Sequence, residues 1–213
     1  MRSGRFSVEL YSNFVRLHGS TFAHKIKYDS IASLFLLPNA KDRVKFLVIG
    51  LLVPLRQGQT QYQFLVFHIS NDVDGGCEVN LPEAELARRK LKASFSDDEE
   101  LSVVLAELLS GMSGRPLADL GKFSESSDAA LRSAFVNCSF KANEGLLFPL
   151  DKQLVYLFKP PMVIRYNDIQ SIEFSRVGAS GAARSARSFD MKVTLASNGS
   201  VSTFGQIRRY EAG

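Results

Sequence analysis

The side chains that catalysis draws on are scarce in this chain. Its 213 residues hold three histidines, His18, His24 and His68, and two cysteines, Cys77 and Cys138. No histidine stands at metal-ligand spacing from a cysteine or carboxylate, and all three read as turn or strand residues. The cysteines form no Cys-x-x-Cys pair and follow no secretory signal, which points to free thiols in a reducing compartment. There is no Walker loop, no Gly-x-Gly-x-x-Gly opening a helix and no Gly-x-Ser-x-Gly elbow. Gly178-Ala179-Ser180-Gly181 runs on into small and basic residues, not an apolar helix, and reads as a flexible hairpin connection. The expectation is a protein with no catalytic centre, no metal and no cofactor. Long apolar runs are missing too. The longest, Val44 to Leu55, is broken by Lys45, Gly50 and Pro54 and falls well short of the roughly 20 residues that span a bilayer. Charge of one sign is also lacking, for the net is only +4, and all of that excess lies from Ser175 onward.

What is present is strand chemistry. Phe6, Val8 and Leu10, the Tyr- and Phe-rich run around Phe64 to Phe67, Leu154 to Leu157, and Met191, Val193 and Leu195 follow the pattern of half-buried strands. Turns at Tyr11-Ser12-Asn13, Gln57-Gly58-Gln59, Asp74-Gly75-Gly76, Asn143-Glu144-Gly145 and Asn198-Gly199 separate them at the spacing of antiparallel meanders. One segment has helical spacing: Leu101, Val104, Leu105, Leu108 and Met112 follow Ser96-Asp97-Asp98-Glu99. This predicts a helix over Asp97 to Met112 that opens on a capping box of Ser96 and Glu99, with Gly111 and Gly114 at its end. A shorter helical turn is expected from Pro82, carrying Leu86 and Leu91, with Arg88-Arg89-Lys90 as a solvated face.

The chain also matches itself. Ile26 to Leu34 aligns without a gap on Ile164 to Ile172, each copy reading as strand, tight polar turn and strand, the turn closed by Asp29 or Asn167. Two related units follow, a first at 1–115 and a second at 125–213, meeting between about Gly111 and Leu131. The first reads as a small barrel corked by its helix. The second repeats the strands from about Leu131 and stops before a comparable helix. The fold class expected is mainly β with a capping helix.

Particular stretches resemble a known family. Ile31 to Pro38, Pro54 to Tyr62, Cys138 to Gly145, Pro149-Leu150 and Lys159-Pro160-Pro161 are similar to the middle domain of the structure-specific recognition protein family, the smaller subunit of the FACT histone chaperone. The resemblance runs from Gly4-Arg5-Phe6 to Phe204. It implies tandem pleckstrin-homology-like barrels in a nuclear, chromosome-associated protein with no enzymatic activity. Its partners would be core histones, chiefly the tetramer of histones three and four. Its work would be nucleosome disassembly and reassembly in transcription, replication and repair. The larger FACT subunit would be met through regions not in this chain.

Two candidate surfaces follow. Arg56, Gln57, Gln59 and Thr60 form a polar segment between apolar strands. By chemistry alone it is a hydrophilic loop, and the resemblance makes it a histone contact. Arg176, Arg184, Arg187, Arg208 and Arg209, with Lys192, hold the local basic excess. With no aromatic between Arg176 and Arg187, they suit at most weak, non-specific DNA binding, the alternative being a solvated basic loop. Inositol phosphate binding lacks its cations, since the first hairpin offers Arg16 alone and the second unit only Lys141 and Lys152, well apart. Candidate acidic contacts for a basic partner are Asp72, Asp74 and Asp97 to Glu100.

Overall fold

A computed structural model describes residues 5–39, 43–70, 72–123, 133–176 and 187–208. The chain divides into two compact units, Met1–Ala118 and Asp119–Gly213.

The first unit opens with an antiparallel meander of β1 (Phe6–Leu10), β2 (Phe14–Gly19) and β3 (Ala23–Lys27). Val15, Leu17 and Ile26 are buried while their strand neighbours face solvent, which is the period-two burial the sequence alternation predicts. A single 3-10 turn, Tyr28–Ser30, leads into a second meander of β4 (Ile31–Asn39), β5 (Val44–Gln57) and β6 (Thr60–Ser70). The Val44 to Leu55 run is therefore a long central strand, apolar because β5 is covered on both sides over Phe46 to Leu51. The chain continues through β7 (Cys77–Glu78), α1 (Glu83–Arg89), β8 (Ser94–Phe95) and α2 (Leu101–Ser113).

α2 is the expected cork, with corrections in its details. It starts at Leu101, not Asp97, because Ser96 to Glu99 form a turn of their own in which the Glu99 N–H donates to the Ser96 carbonyl at 3.1 Å. Half of the capping box exists: the Ser96 N–H donates to Glu99 Oε1 at 3.1 Å, but the Ser96 hydroxyl turns to Asp98 instead. The face on the barrel is Ala106, Leu109 and Met112, with Leu105 partly buried beside it, while Val104 and Leu108 join Phe95, Leu91 and Val79 in a second small cluster. Two apolar environments on two sides explain why the hydrophobic stripe is wider than one face. Gly111 is an interior residue of the helix. A Cβ there would stand 2.5 Å from Leu91 and 3.0 Å from the Arg89 carbonyl, so this glycine admits the chain leaving α1. The end falls at Gly114, whose φ of +67° suits the left-handed cap. Arg89 is no solvated side chain: it bonds Glu85 and donates to the Met112 carbonyl at 2.8 Å, tying α1 to the end of α2.

The second unit is one seven-stranded sheet. Its strands are β9 (Val136–Phe140), β10 (Asn143–Pro149), β11 (Gln153–Leu157), β12 (Met162–Arg165), β13 (Ile169–Ser175), β14 (Ser188–Leu195) and β15 (Val201–Arg208). The order β12-β11-β10-β9-β15-β14-β13 makes β9 the strand that joins the two meanders into a nearly closed barrel. Its core holds Phe140, Leu147, Tyr156, Ile164, Val193 and Phe204, with three of the aromatic rings in mutual contact.

The internal repeat is a structural one. Tyr166–Asp168 is a second 3-10 turn, entered at Arg165 with φ/ψ of −74°/138° where Lys27 has −71°/142°. The closing side chains differ from expectation. In the first copy the Ser30 hydroxyl donates to the Lys27 carbonyl at 2.6 Å, and in the second Asp168 accepts from the Ser197 N–H and hydroxyl, both at 3.0 Å. Among the described residues neither Asp29 nor Asn167 makes the bond, since each points to solvent from the middle of its turn.

Candidate functional site

The Arg56 to Thr60 segment is a tight hairpin. Gly58 and Gln59 connect β5 to β6, with Gln57 opposite Thr60 and Arg56 opposite Gln61. Gly58 has φ +61° and open space around it, the conformation that a two-residue turn needs to match the twist of its strands. Residues directly opposite in an antiparallel pair share a face, so the four candidates separate. Gln57 and Thr60 lie on the side of Leu55 and Tyr62, Arg56 lies on the other with Gln61, and Gln59 stands at the apex. Gln57 Oε1 is shielded from solvent and meets no donor among the described residues, so this side chain is partly withdrawn from the surface. Arg56, Gln59, Thr60 and Gln61 are exposed.

Just below the tip the ladder breaks. Gly50 pairs with Phe64 and Leu55 with Tyr62, leaving Leu51 to Pro54 opposite Gln63 alone. Gln63 Nε2 donates to the Leu51 carbonyl across the gap, and Pro54, which has no N–H to give, sits where no ladder bond is required. The bulge turns Leu52 and Val53 outward at 59% and 72% exposure. In the sequence both belong to the apolar run from Val44 to Leu55. Nothing local marks them as exposed except Pro54, a residue that strands tolerate chiefly at bulges and edges.

The carboxylates proposed as acidic contacts are largely taken within the chain. Lys45 bonds Glu100 at 2.5 Å and Lys92 bonds Glu99 at 2.8 Å, and each lysine holds its carboxyl below the usual range. Asp72 takes a Ser70 hydroxyl bond and a long contact to Arg43.

Of the basic set, Arg184 and Arg209 lie outside the described residues, as does most of the Gly178 to Ser188 connection. Arg176, Arg187 and Arg208 gather at one end of three adjacent strands: Arg176 follows β13, Arg187 precedes β14, and Arg208 ends β15 opposite Ser188. Arg176 is ion-paired with Asp190, whose Oδ1 also accepts the Gln206 N–H at 3.0 Å, so this carboxylate ties three strands together. Arg187 and Arg208 are exposed.

No group of three or more His, Cys, Asp or Glu among the described residues could hold a metal ion. Burial pushes the Cys138 thiol up to about 12 and raises that of exposed-edge Cys77 as well, so neither is poised as a thiolate. No helix is long and apolar enough to cross a membrane, among the described residues.

Strand meanders rolled into small barrels, one corked by a helix, define the pleckstrin-homology-like class of fold. Comparison with known proteins agrees with that class. The SSRP1 PH domain profile matches residues 2–117, and that of the Rttp106-like histone chaperone middle domain matches residues 134–213. The FACT complex subunit pob3 of Schizosaccharomyces pombe is 40% identical over 212 residues, covering 98% of this chain and 40% of its own length. The FACT complex subunit Ssrp1 of Drosophila pseudoobscura is 39% identical over 212 residues, covering 98% and 27%. The FACT complex subunit SSRP1 of Xenopus laevis is 37% identical over 213 residues, covering 99% and 29%. The chain belongs to the SSRP1-like family. It spans between about a quarter and two-fifths of the length of these relatives.

Proposed function

We propose that this chain is a histone-engaging module of a FACT-type chaperone, working in the nucleus on nucleosome disassembly and reassembly, with no catalytic step of its own. The observation that carries this reading is the match of both units to the family: an SSRP1 PH domain followed by a histone chaperone middle domain. The β5-β6 hairpin is the surface assigned to the histone, with the tetramer of histones three and four as partner. Its tip offers directed hydrogen-bonding groups at Gln59 and Thr60 with Arg56 behind, and Leu52 and Val53 add the apolar area that a polar tip lacks. The larger FACT subunit is met through regions outside this chain.

The test is titration of the chain with histone tetramers. Gln59→Lys sets a charge against a basic partner and weakens binding about tenfold at moderate salt, while the fold is kept because the side chain is exposed. Gln57→Lys acts in the same direction but also places an ammonium in a shielded position, so its folding is measured in parallel. Unaltered tetramer affinity in folded Gln59→Lys protein moves the interface elsewhere.

A second reading, weak DNA binding at the β13-β14-β15 end, is favoured by the exposure of Arg187 and Arg208 on adjacent strands. Arg184→Ala with Arg187→Ala flattens the salt dependence of any such binding and leaves histone affinity intact.

A further inference from the structure

The outer face of the β1-β2-β3 sheet concentrates positive charge that the hairpin sequence does not reveal. Arg16 pairs with Glu9 on one side and Lys25 on the other, Phe14 pairs with Lys27, and His18 pairs with Ala23. Paired residues share a face, so Arg16, His18, Lys25 and Lys27 stand together toward solvent while Val15, Leu17, His24 and Ile26 point inward. Glu9 is the one carboxylate on these three strands, and it is already committed. It accepts from Tyr11 Oη at 2.9 Å and Arg16 Nε at 2.7 Å, contacts that hold it below the usual carboxylate range. Among the described residues Lys25 and Lys27 have no carboxylate partner, and the Lys25 ammonium rests 3.8 Å from the centre of the Phe14 ring.

The two lysines also occupy a sheet border. β3 pairs only with β2, leaving its other edge without a strand among the described residues. Lys25 and Lys27, two residues apart, recur on the outer face at roughly 7 Å, the same repeat that an added strand presents directly across from them. An extended peptide with an acidic residue at every second position matches both features, with backbone bonds to the edge and carboxylates opposite the lysines.

We infer that the edge of β3 is a docking site for an extended acidic peptide, read by Lys25 and Lys27 with Arg16 behind them. Single-stranded nucleic acid fits less well, because base stacking needs open ring faces. Phe14 is covered by Lys25 and by Tyr11, stacked at 4.5 Å, and Tyr11 lies under Arg16 at 5.6 Å. A lipid headgroup needs cations converging from the hairpin turn, and Tyr11-Ser12-Asn13 supplies none. The site is separate from the β5-β6 hairpin and takes a partner of opposite charge to a histone.

The experiment is fluorescence anisotropy of the 213-residue chain with two short peptides of one composition, one alternating Glu and Thr, the other with its Glu residues contiguous. The alternating peptide binds more tightly, and amide shift changes fall along Ala23–Lys27. Lys25→Gln with Lys27→Gln weakens it about tenfold, whereas Arg16→Gln changes it less. Equal binding of the two peptides overturns the proposal, since only bulk charge would then be read. So does a double variant that keeps its peptide affinity, and if that variant also begins to self-associate, the lysines serve only to guard the edge against another copy of the chain. Tighter binding of a short oligodeoxythymidine at the same amides replaces the peptide by nucleic acid. The peptide comparison on the unaltered chain decides even if a variant folds poorly.

Discussion

Tyr28 and Tyr166, equivalent residues of the internal repeat, make the same hydrogen bond in their separate units. Tyr28 Oη donates to the Tyr11 carbonyl at 2.9 Å, and Tyr166 Oη donates to the Leu150 carbonyl at 2.7 Å, each reaching from the 3-10 turn back to the end of the first strand of its meander hairpin. Their surroundings differ. α2 packs over the first turn and leaves Tyr28 4% exposed, while Tyr166 is 37% exposed.

Removing the hydroxyl therefore has unequal effects. Tyr28→Phe vacates the hydroxyl site on a ring sealed from water and lowers stability by about 1–2 kcal/mol, while the ring of Tyr166 is open enough for water to take the vacated place and the loss there is about 0.5 kcal/mol or less. Urea unfolding of the two variants checks the order. Spectrophotometric titration adds an independent reading, because burial pushes the Tyr28 phenol up to about 12.

Gly111→Ala is destabilising even though alanine favours a helix interior over glycine by about 1 kcal/mol. The new Cβ meets Leu91 and the Arg89 carbonyl, so α1 is displaced from α2, at an overpacking cost of about 1–3 kcal/mol. Pairing it with Leu91→Ala recovers part of the loss. Thermal unfolding of the two single variants and the double variant measures the coupling, and additive effects would contradict the contact.

Acid weakens the first unit through its histidines. Burial lowers the pKa of His24, which is 8% exposed with no partner for Nε2 among the described residues, and also that of His68. Between their depressed folded values and the ordinary value of about 6.5, the unfolded chain takes up protons that the folded chain refuses. Stability is thus full above that range, declines as pH falls through it and levels off below it. His24→Phe, which keeps the ring against Phe22, flattens the decline in melting temperature measured from pH about 7 to 5.

Period-two alternation, the capping helix and the nine-residue repeat were legible in the sequence because each is a local pattern of side-chain chemistry. A strand needs only its own alternation to declare which residues face inward, and a helix only its spacing. The family resemblance was legible for the same reason, in short runs such as Arg56 to Thr60 and Lys141 to Gly145. What neighbours would cover those residues was not. Leu34 and Ile172 are equivalent in the repeat, and Ile172 lies on the core side of β13 opposite fully buried Val193. Yet Leu34 is 0% exposed and Ile172 44%, because α2 sets Ala106, Leu109 and Met112 in the core that holds Leu34 and no described element does so for Ile172. The same holds at the candidate surfaces. A bulge four residues long turned Leu52 and Val53 out of an apolar run, and Asp190 paired Arg176 from the next strand. Each of these depends on a partner distant in sequence, and burial and charge pairing are properties of such partners rather than of the residue itself.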